Sequence, residues 1–258
     1  MNKKDIWSTS FFLNSPIFKQ LKSLTTFFEK YVDWPTLNDY EAIFKKNNME
    51  VKPVPQSEVI RCFEEQYEPR VYLKGELQTR LKNWHDFFNA LIWLKFPITK
   101  KMLNALHYEQ ARLREAGSNR STLENRITQF DECGAVIVSN DQKLLDLIEN
   151  HQWQDLFINE MQQFDSNLQC VIFGHAIFEK AMNPYIGMTC HCILINDSKL
   201  LNDVHQGNFE ALDKKIAIFW KNAHKIENLK LKPLPLLGIP GYWHLQNSEF
   251  YKNTSYFR

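Results

Sequence analysis

Three chemically capable side chains, His85, Asp86 and Asn89, lie on an otherwise almost wholly apolar segment from Trp84 to Phe96. On a helix they share an arc of about 100°. A helix this apolar belongs inside a protein, where an unpaired polar group costs about 1–3 kcal/mol. A histidine beside a carboxylate can fix a tautomer for proton transfer or for metal binding. The alternative is that Asp86 caps nearby backbone and His85 is a hydrogen-bonded core histidine.

A second polar pair follows on the next predicted helix, which begins at Pro97. Asn104 and His107 are one turn apart there, at the edge of the apolar face. The two helices could direct these residues into one pocket, and we then expect His85 and His107 to contact the same ligand or water. They could equally hydrogen-bond to each other and hold the helices together, and the sequence leaves both alternatives open.

A third group of polar residues borders the predicted strands of the second half. Asp131 and Glu132 precede the first buried strand, and His175 follows Gly174 at the end of the next strand. Ligand sites of open α/β sheets gather at such strand ends. Glu179, one turn after His175, could orient the imidazole. The alternatives are an ordinary acidic turn and a core histidine.

Together these residues favour a soluble enzyme with a His/Asp/Glu site. We assign as catalytic residues His85, Asp86, Asn89 and His175. We assign to substrate binding Arg80, Lys82 and Asn104. As ligands of a divalent transition metal we assign His85, His107, Asp131 and Glu132. Such a metal would activate water to attack an ester or phosphodiester.

The competing hypothesis is a non-catalytic binding or assembly protein in which the same residues form a buried polar network. The two hypotheses differ in one observation. An enzyme needs three or more of the histidine and acidic side chains in one open pocket, whereas a structural network disperses or seals them.

Composition excludes several classes of protein. The 258 residues carry a net charge of +1, which gives no overall attraction to nucleic acid or an acidic membrane. Five scattered cysteines argue against a disulfide framework. No secretory signal and no apolar run long enough for a membrane span is visible, so we expect a soluble, cytoplasmic protein. The partners are unknown, and homo-oligomerisation stays open.

The elements that must position these residues change in character along the chain. The hydrophobic pattern predicts α/β or α+β: a helix-rich N-terminal half, then a small mixed sheet flanked by helices in the C-terminal half. Residues 70–73 read as a strand before Gly75, and residues 233–243 as an irregular but packed tail. We expect one domain over residues 1–258, with residues 1–60 a helical portion packed on it.

Several motifs resemble the signature of a bacterial family, domain-of-unknown-function family 3025. They are Asn83-Trp84-His85-Asp86-Phe87-Phe88-Asn89, Phe130-Asp131-Glu132-Cys133-Gly134, Phe173-Gly174-His175-Ala176, and Leu236-Leu237-Gly238-Ile239-Pro240-Gly241-Tyr242-Trp243. The similarity runs from about residue 60 to the C-terminus. It implies a single domain and carries no mechanism.

Overall fold

The protein is an α+β protein, seen in a computed structural model that describes residues 6–114, 119–223 and 229–258. The helices are α1 Lys22–Thr25, α2 Leu37–Lys46, α3 Tyr67–Lys74, α4 Trp84–Lys95, α5 Pro97–Leu113, α6 Thr122–Cys133, α7 Gln142–Glu149, α8 Phe164–Asn167, α9 His175–Ala181, α10 Ser198–His205, α11 Glu210–Ala223 and α12 Ser248–Tyr251. The strands are β1 Lys52–Pro55, β2 Glu76–Thr79, β3 Gly134–Ser139, β4 Leu168–Ile172, β5 Thr189–Asn196 and β6 Lys232–Pro235.

The chain forms two compact units. Unit one comprises the described parts of residues 1–12, 21–128 and 213–227, and unit two those of residues 13–20, 129–212 and 228–258. The expectation of one domain with residues 1–60 packed on it stays a prediction.

Unit one is built around α4, as the apolar pattern predicted. Asn83 caps the helix, its side chain accepting a hydrogen bond from the Asp86 backbone N–H at 3.0 Å. Aromatic residues of α4 pack into an aromatic cluster. The Trp84 ring stacks on the Trp7 ring with centroids 5.3 Å apart, and the Phe87 ring contacts the Trp7 ring edge to face. The strands β1 and β2 of this unit pair in parallel.

The start of α5 is fixed by a residue far along the chain. Pro97 occupies the first turn, and the buried carboxylate of Asp213 on α11 accepts hydrogen bonds from the backbone N–H groups of Ile98 and Thr99 at 2.9 and 2.8 Å. The first N–H groups of a helix have no partner within it, so Asp213 supplies one.

Unit two contains a four-stranded mixed sheet in the order β4-β3-β5-β6. The strand β3 is buried along its whole length, is parallel to β5 and is antiparallel to β4. The prediction of a small mixed sheet flanked by helices in the C-terminal half is therefore confirmed.

Two local predictions need correction. Residues 70–73 lie in helix α3, which ends at Gly75 with a positive φ of 63°, and not in a strand. The beginning of the tail forms a regular edge strand, since β6 pairs with β5 antiparallel through Cys190 and Leu234. Proline is tolerated in β6 because an edge strand leaves one row of backbone groups unpaired.

No helix in the described residues has the length and apolar character needed to cross a membrane.

Candidate functional site

The polar residues of α4 and its approach are joined by hydrogen bonds. Asp86 lies in the first turn of the helix and is buried. One carboxylate oxygen accepts from the Arg80 backbone N–H at 2.6 Å and from Nε at 3.1 Å, and the other accepts from its Nη2 at 2.8 Å. This bidentate ion pair binds the segment before α4 to the helix.

Asn89, one turn further along α4, forms hydrogen bonds through both the nitrogen and the oxygen of its side-chain amide. Its Nδ2 donates to the Tyr67 hydroxyl at 2.8 Å, and its Oδ1 accepts from the Lys100 Nζ at 2.9 Å. Lys100 is only 4% exposed, and its ammonium lies 5.4 Å from the centroid of the Trp93 ring. The amide and the indole together stabilise a buried cation.

A third hydrogen-bonded pair links α5 to α3. The buried Asn104 donates from Nδ2 to the Glu68 backbone oxygen at 3.0 Å and to its carboxylate at 2.6 Å. Tyr67 and Glu68 are neighbours, so α3 bonds to both α4 and α5. We call these side chains the interhelical network: Tyr67, Glu68, Asn89, Lys100 and Asn104.

The remaining residues predicted in this unit lie at its periphery. Lys82 is half exposed, with its Nζ 3.6 Å from Asp33. His85 and His107 are both partly exposed, on α4 and α5 respectively. Their contact with one ligand stays a prediction.

A cleft of about 950 Å³ opens beside the interhelical network, and we call it the unit-one cleft. Trp93 and Asn104 line it, so the wall of the cleft includes a member of the network. Other apolar lining residues are Met49, Val51, Val71, Tyr72 and Met102. Polar lining residues are Asn48, Glu50, Lys74 and Lys101. The ammonium of Lys101 pairs with Glu50.

In unit two, the end of α6 meets the start of α9. The Gly134 backbone oxygen accepts from the N–H groups of Phe173 and Gly174 at 3.0 and 2.8 Å. A Cβ on Gly174 would lie 2.6 Å from the Cys133 backbone nitrogen and would clash with the Glu132 oxygen, so only glycine fits. The two motifs of this half are thereby held in direct contact.

This contact produces two side-chain pairs. The His175 Nδ1 lies 3.8 Å from the Asp131 carboxylate. In the second pair, the Lys180 Nζ donates a hydrogen bond to the Cys133 Sγ at 3.4 Å. Glu179, which was expected to orient His175, is exposed on α9.

The side chains of Cys190, His191 and Cys192 alternate between the two faces of β5. Both cysteines are buried on one face, whereas His191 points away and its Nε2 lies 3.0 Å from the Gln129 amide. Burial raises the pKa values of the Cys190 and Cys192 thiols well above the ordinary value of a thiol. It also raises the pKa of Cys170, to about 12. The buried thiols of Cys190 and Cys192 are therefore chemically inert.

The predicted metal ligands are divided between the units: His85 and His107 belong to unit one, Asp131 and Glu132 to unit two. Among the described residues, no group of three or more histidine, cysteine or acidic side chains is arranged to hold a metal ion.

A family model for a protein of unknown function, DUF3025, matches residues 51–258. The chain belongs to this family. No curated protein and no solved structure matches it.

The DUF3025 match contains every site residue predicted from the sequence, the interhelical network and both pairs of unit two. Part of the cleft wall, including Asn48 and Glu50, precedes the matched residues. The match therefore defines the family of the chain without assigning a reaction to it.

Sequence reasoning missed four residues of the DUF3025 region that the structure places in these contacts: Tyr67, Glu68, Lys100 and Lys180. The first two were missed because residues 70–73 were interpreted as a strand. The available signal was Lys74-Gly75, a basic residue followed by the glycine that commonly ends a helix.

Proposed function

We propose that the chain is a binding protein, and that the unit-one cleft takes a small organic anion with an aromatic or other apolar body. The observation that carries this proposal is the cleft itself. Its volume of about 950 Å³ lies within the usual range for small-molecule sites. Its mixture of apolar side chains and a few polar groups is also typical of such sites.

The charges at the cleft support an anionic ligand. Lys74 and Lys101 line it with a single acidic residue, Glu50, which pairs with Lys101. Lys74 is exposed and interacts electrostatically with Glu64 and Glu76, neither of which lines the cleft. Two ammonium groups and one carboxylate at the cleft favour a ligand that brings its own carboxylate, sulfonate or phosphate.

The state of the polar residues supports binding over catalysis. Asp86 receives hydrogen bonds from Arg80, and Asn89 and Asn104 are bonded to side chains of neighbouring helices. Groups engaged in this way rigidify the helices that form the cleft wall. We infer that the residues proposed as catalytic in this unit serve to hold the binding site in shape.

The test uses the fluorescent dye anilinonaphthalenesulfonate, an aromatic anion, with the folded full-length chain. We expect saturable binding of one dye per chain. Ala105→Trp would fill the cleft, since Ala105 lines it, and should weaken binding at least about tenfold, a change of about 1.4 kcal/mol.

The matched control is Ala111→Trp, at a partly exposed alanine of the same helix that does not line the cleft. Lys74→Gln, which removes the charge of an exposed side chain, should weaken binding with little change in the melting temperature. Equal dye affinity in wild type and the Ala105 and Lys74 variants would overturn the proposal.

A second candidate function, hydrolysis of an ester or phosphodiester, is favoured by the pairing of His175 with Asp131. The two groups lie 3.8 Å apart, so the carboxylate would have to move closer to hydrogen-bond to the imidazole and orient it as a general base. A divalent transition metal held by the histidines and acids predicted from the sequence is the accompanying proposal, together with bacterial origin and a cytoplasmic location.

The hydrolytic proposal is tested with nitrophenyl acetate and bis-nitrophenyl phosphate, before and after reconstitution with zinc or manganese. Activity that depends on His175, lost in His175→Ala and kept in His151→Ala, would support it. If the protein hydrolyses neither substrate faster than buffer with any added metal, and retains no stoichiometric metal, the hydrolytic proposal is wrong.

A further inference from the structure

Cys133 has a different environment from the three cysteines of the sheet. Cys170, Cys190 and Cys192 carry thiols whose pKa burial raises. Cys133 is partly exposed at the last residue of α6, and its Sγ accepts a hydrogen bond from the Lys180 Nζ at 3.4 Å. Cys133 therefore combines partial exposure to solvent with a direct contact between its sulfur and the Lys180 nitrogen.

Backbone contacts hold the end of α6 against the start of α9 near this pair. Gly174 packs against the backbone of Glu132 and Cys133, and the Gly134 oxygen accepts hydrogen bonds from the segment that begins α9. The phenyl rings of Phe130 and Phe173 stack at 4.8 Å beside this junction. Lys180 lies on α9 and Cys133 ends α6, so both side chains project from a fixed junction.

We propose that Cys133 and Lys180 form a peroxide-dependent covalent crosslink, a sulfenamide that joins α6 to α9. The site is separate from the unit-one cleft and does not depend on the binding function. The oxidant class is a hydroperoxide, with hydrogen peroxide the simplest member.

The reaction balances in two steps. The Cys133 sulfur attacks the peroxide, an S–O bond forms as the O–O bond breaks, and the sulfur is oxidised to a sulfenic acid while the peroxide is reduced to water. The Lys180 ammonium then loses one proton to solvent, and its neutral amine attacks that sulfur. An S–N bond forms as the S–O bond breaks, and the departing hydroxide takes a second proton from nitrogen and leaves as water.

The electrostatics keep Lys180 protonated beside the sulfur. Burial alone would lower the pKa of Lys180, but the Cys133 sulfur and the neighbouring Tyr185 and Glu132 raise it overall. The second step therefore begins with the loss of a proton from this ammonium.

Intact mass spectrometry of the full chain before and after peroxide tests the proposal, in a Cys62→Ser background that removes the one exposed cysteine of the described chain. The crosslink lowers the mass by about 2 Da, whereas a sulfenic acid raises it by about 16 Da. Trypsin should then fail to cut after Lys180 and should leave residues 127–143 joined to residues 144–199. A thiol reductant should restore both the mass and the cleavage.

Lys180→Arg is the matched control, because it keeps the positive charge beside the sulfur and removes the nucleophilic amine. The variant should gain oxygen on Cys133 and lose no hydrogen. A loss of about 2 Da that persists in Lys180→Arg would identify a disulfide instead and overturn the proposal. Wild-type chain that only gains oxygen at Cys133, with normal cleavage after Lys180, would overturn it as well.

Discussion

At the scale of single residues, two neighbouring basic side chains differ in the burial of the carboxylate with which each forms an ion pair. Arg80 makes a bidentate pair with the buried Asp86, while Lys82, two residues later, lies 3.6 Å from the exposed Asp33. Both were predicted to bind substrate. In the structure Arg80 pairs with a buried carboxylate, whereas Lys82 pairs with a carboxylate exposed to solvent.

Arg80→Ala should therefore destabilise the protein more than Lys82→Ala. Removing Arg80 leaves a largely buried carboxylate with one backbone donor, a loss of about 1–3 kcal/mol. Removing Lys82 breaks an exposed pair, which contributes about 0–1 kcal/mol. Urea denaturation of both variants measures the difference. Equal losses would show that Arg80 has no structural role beyond that of a surface cation.

A second prediction at this scale concerns Tyr256 in the tail. Its hydroxyl donates to the Met188 oxygen at 2.6 Å and accepts from the Leu237 N–H at 2.9 Å. Tyr256→Phe leaves two buried backbone groups without this partner and should cost about 1–3 kcal/mol. The exposed Tyr185→Phe is the control, with an expected change within about 0.5 kcal/mol. A Tyr256 variant as stable as the control would show that water replaces the hydroxyl.

At the scale of elements, the sequence predicted best where one strong pattern decides the structure. The helix α4 was predicted from its apolar run and from Pro97, which was expected to begin the next helix. The strand β3 was found from four consecutive small or β-branched apolar residues. Such elements are long or fully buried, so local pattern and tertiary packing agree.

The prediction failed where tertiary contacts override composition. Residues 70–73 have strand-like side chains, but α3 places Val71 against the core and its neighbours Tyr67 and Glu68 against α4 and α5. Pairing β6 with β5 likewise needed knowledge of the sheet edge, which residues 232–235 alone do not contain. Polar partners distant in sequence, such as Asn89 and Tyr67, left no local signal at all.

Asp213 provides a prediction about α5 that includes the sign of its pH dependence. Burial raises its pKa above the ordinary value, although the bonds from Ile98 and Thr99 lower it in part. Between the unfolded and folded pKa values the folded state binds more protons, so this group adds stability as pH falls. The stability of wild type minus that of Asp213→Asn should thus rise as pH is lowered from 6 toward 4, about the ordinary pKa of an aspartate.

Denaturant unfolding of both proteins across that pH range is the measurement. Other titrating groups are common to the two proteins and cancel in the difference. A difference that shrinks on acidification would mean that the hydrogen bonds from the α5 backbone outweigh burial and hold the pKa of Asp213 low.

At the scale of the whole molecule, the chain is divided unusually between its two units. Six segments alternate between them, so the chain passes from one unit to the other five times. Both α6 and α11 include residues of each unit, since the divisions fall after Thr128 and Leu212. A chain whose domains follow one another in sequence can unfold one domain at a time. Here each of these two helices has residues in both units, so unfolding of either unit would disrupt a helix that belongs in part to the other.

We therefore predict that the two units unfold together. Hydrogen exchange resolved by peptide should show that Arg80→Ala, in unit one, lowers protection in peptides of β3 and β5 in unit two. Tyr256→Phe, in unit two, should in turn lower protection in α4. Each effect should match the global loss of stability, because residues that exchange only by global opening report the same free energy wherever they lie. Lys82→Ala is the control and should leave both units protected. If each variant lowers protection in its own unit alone, the units are independent domains, and the single domain expected from the sequence is wrong.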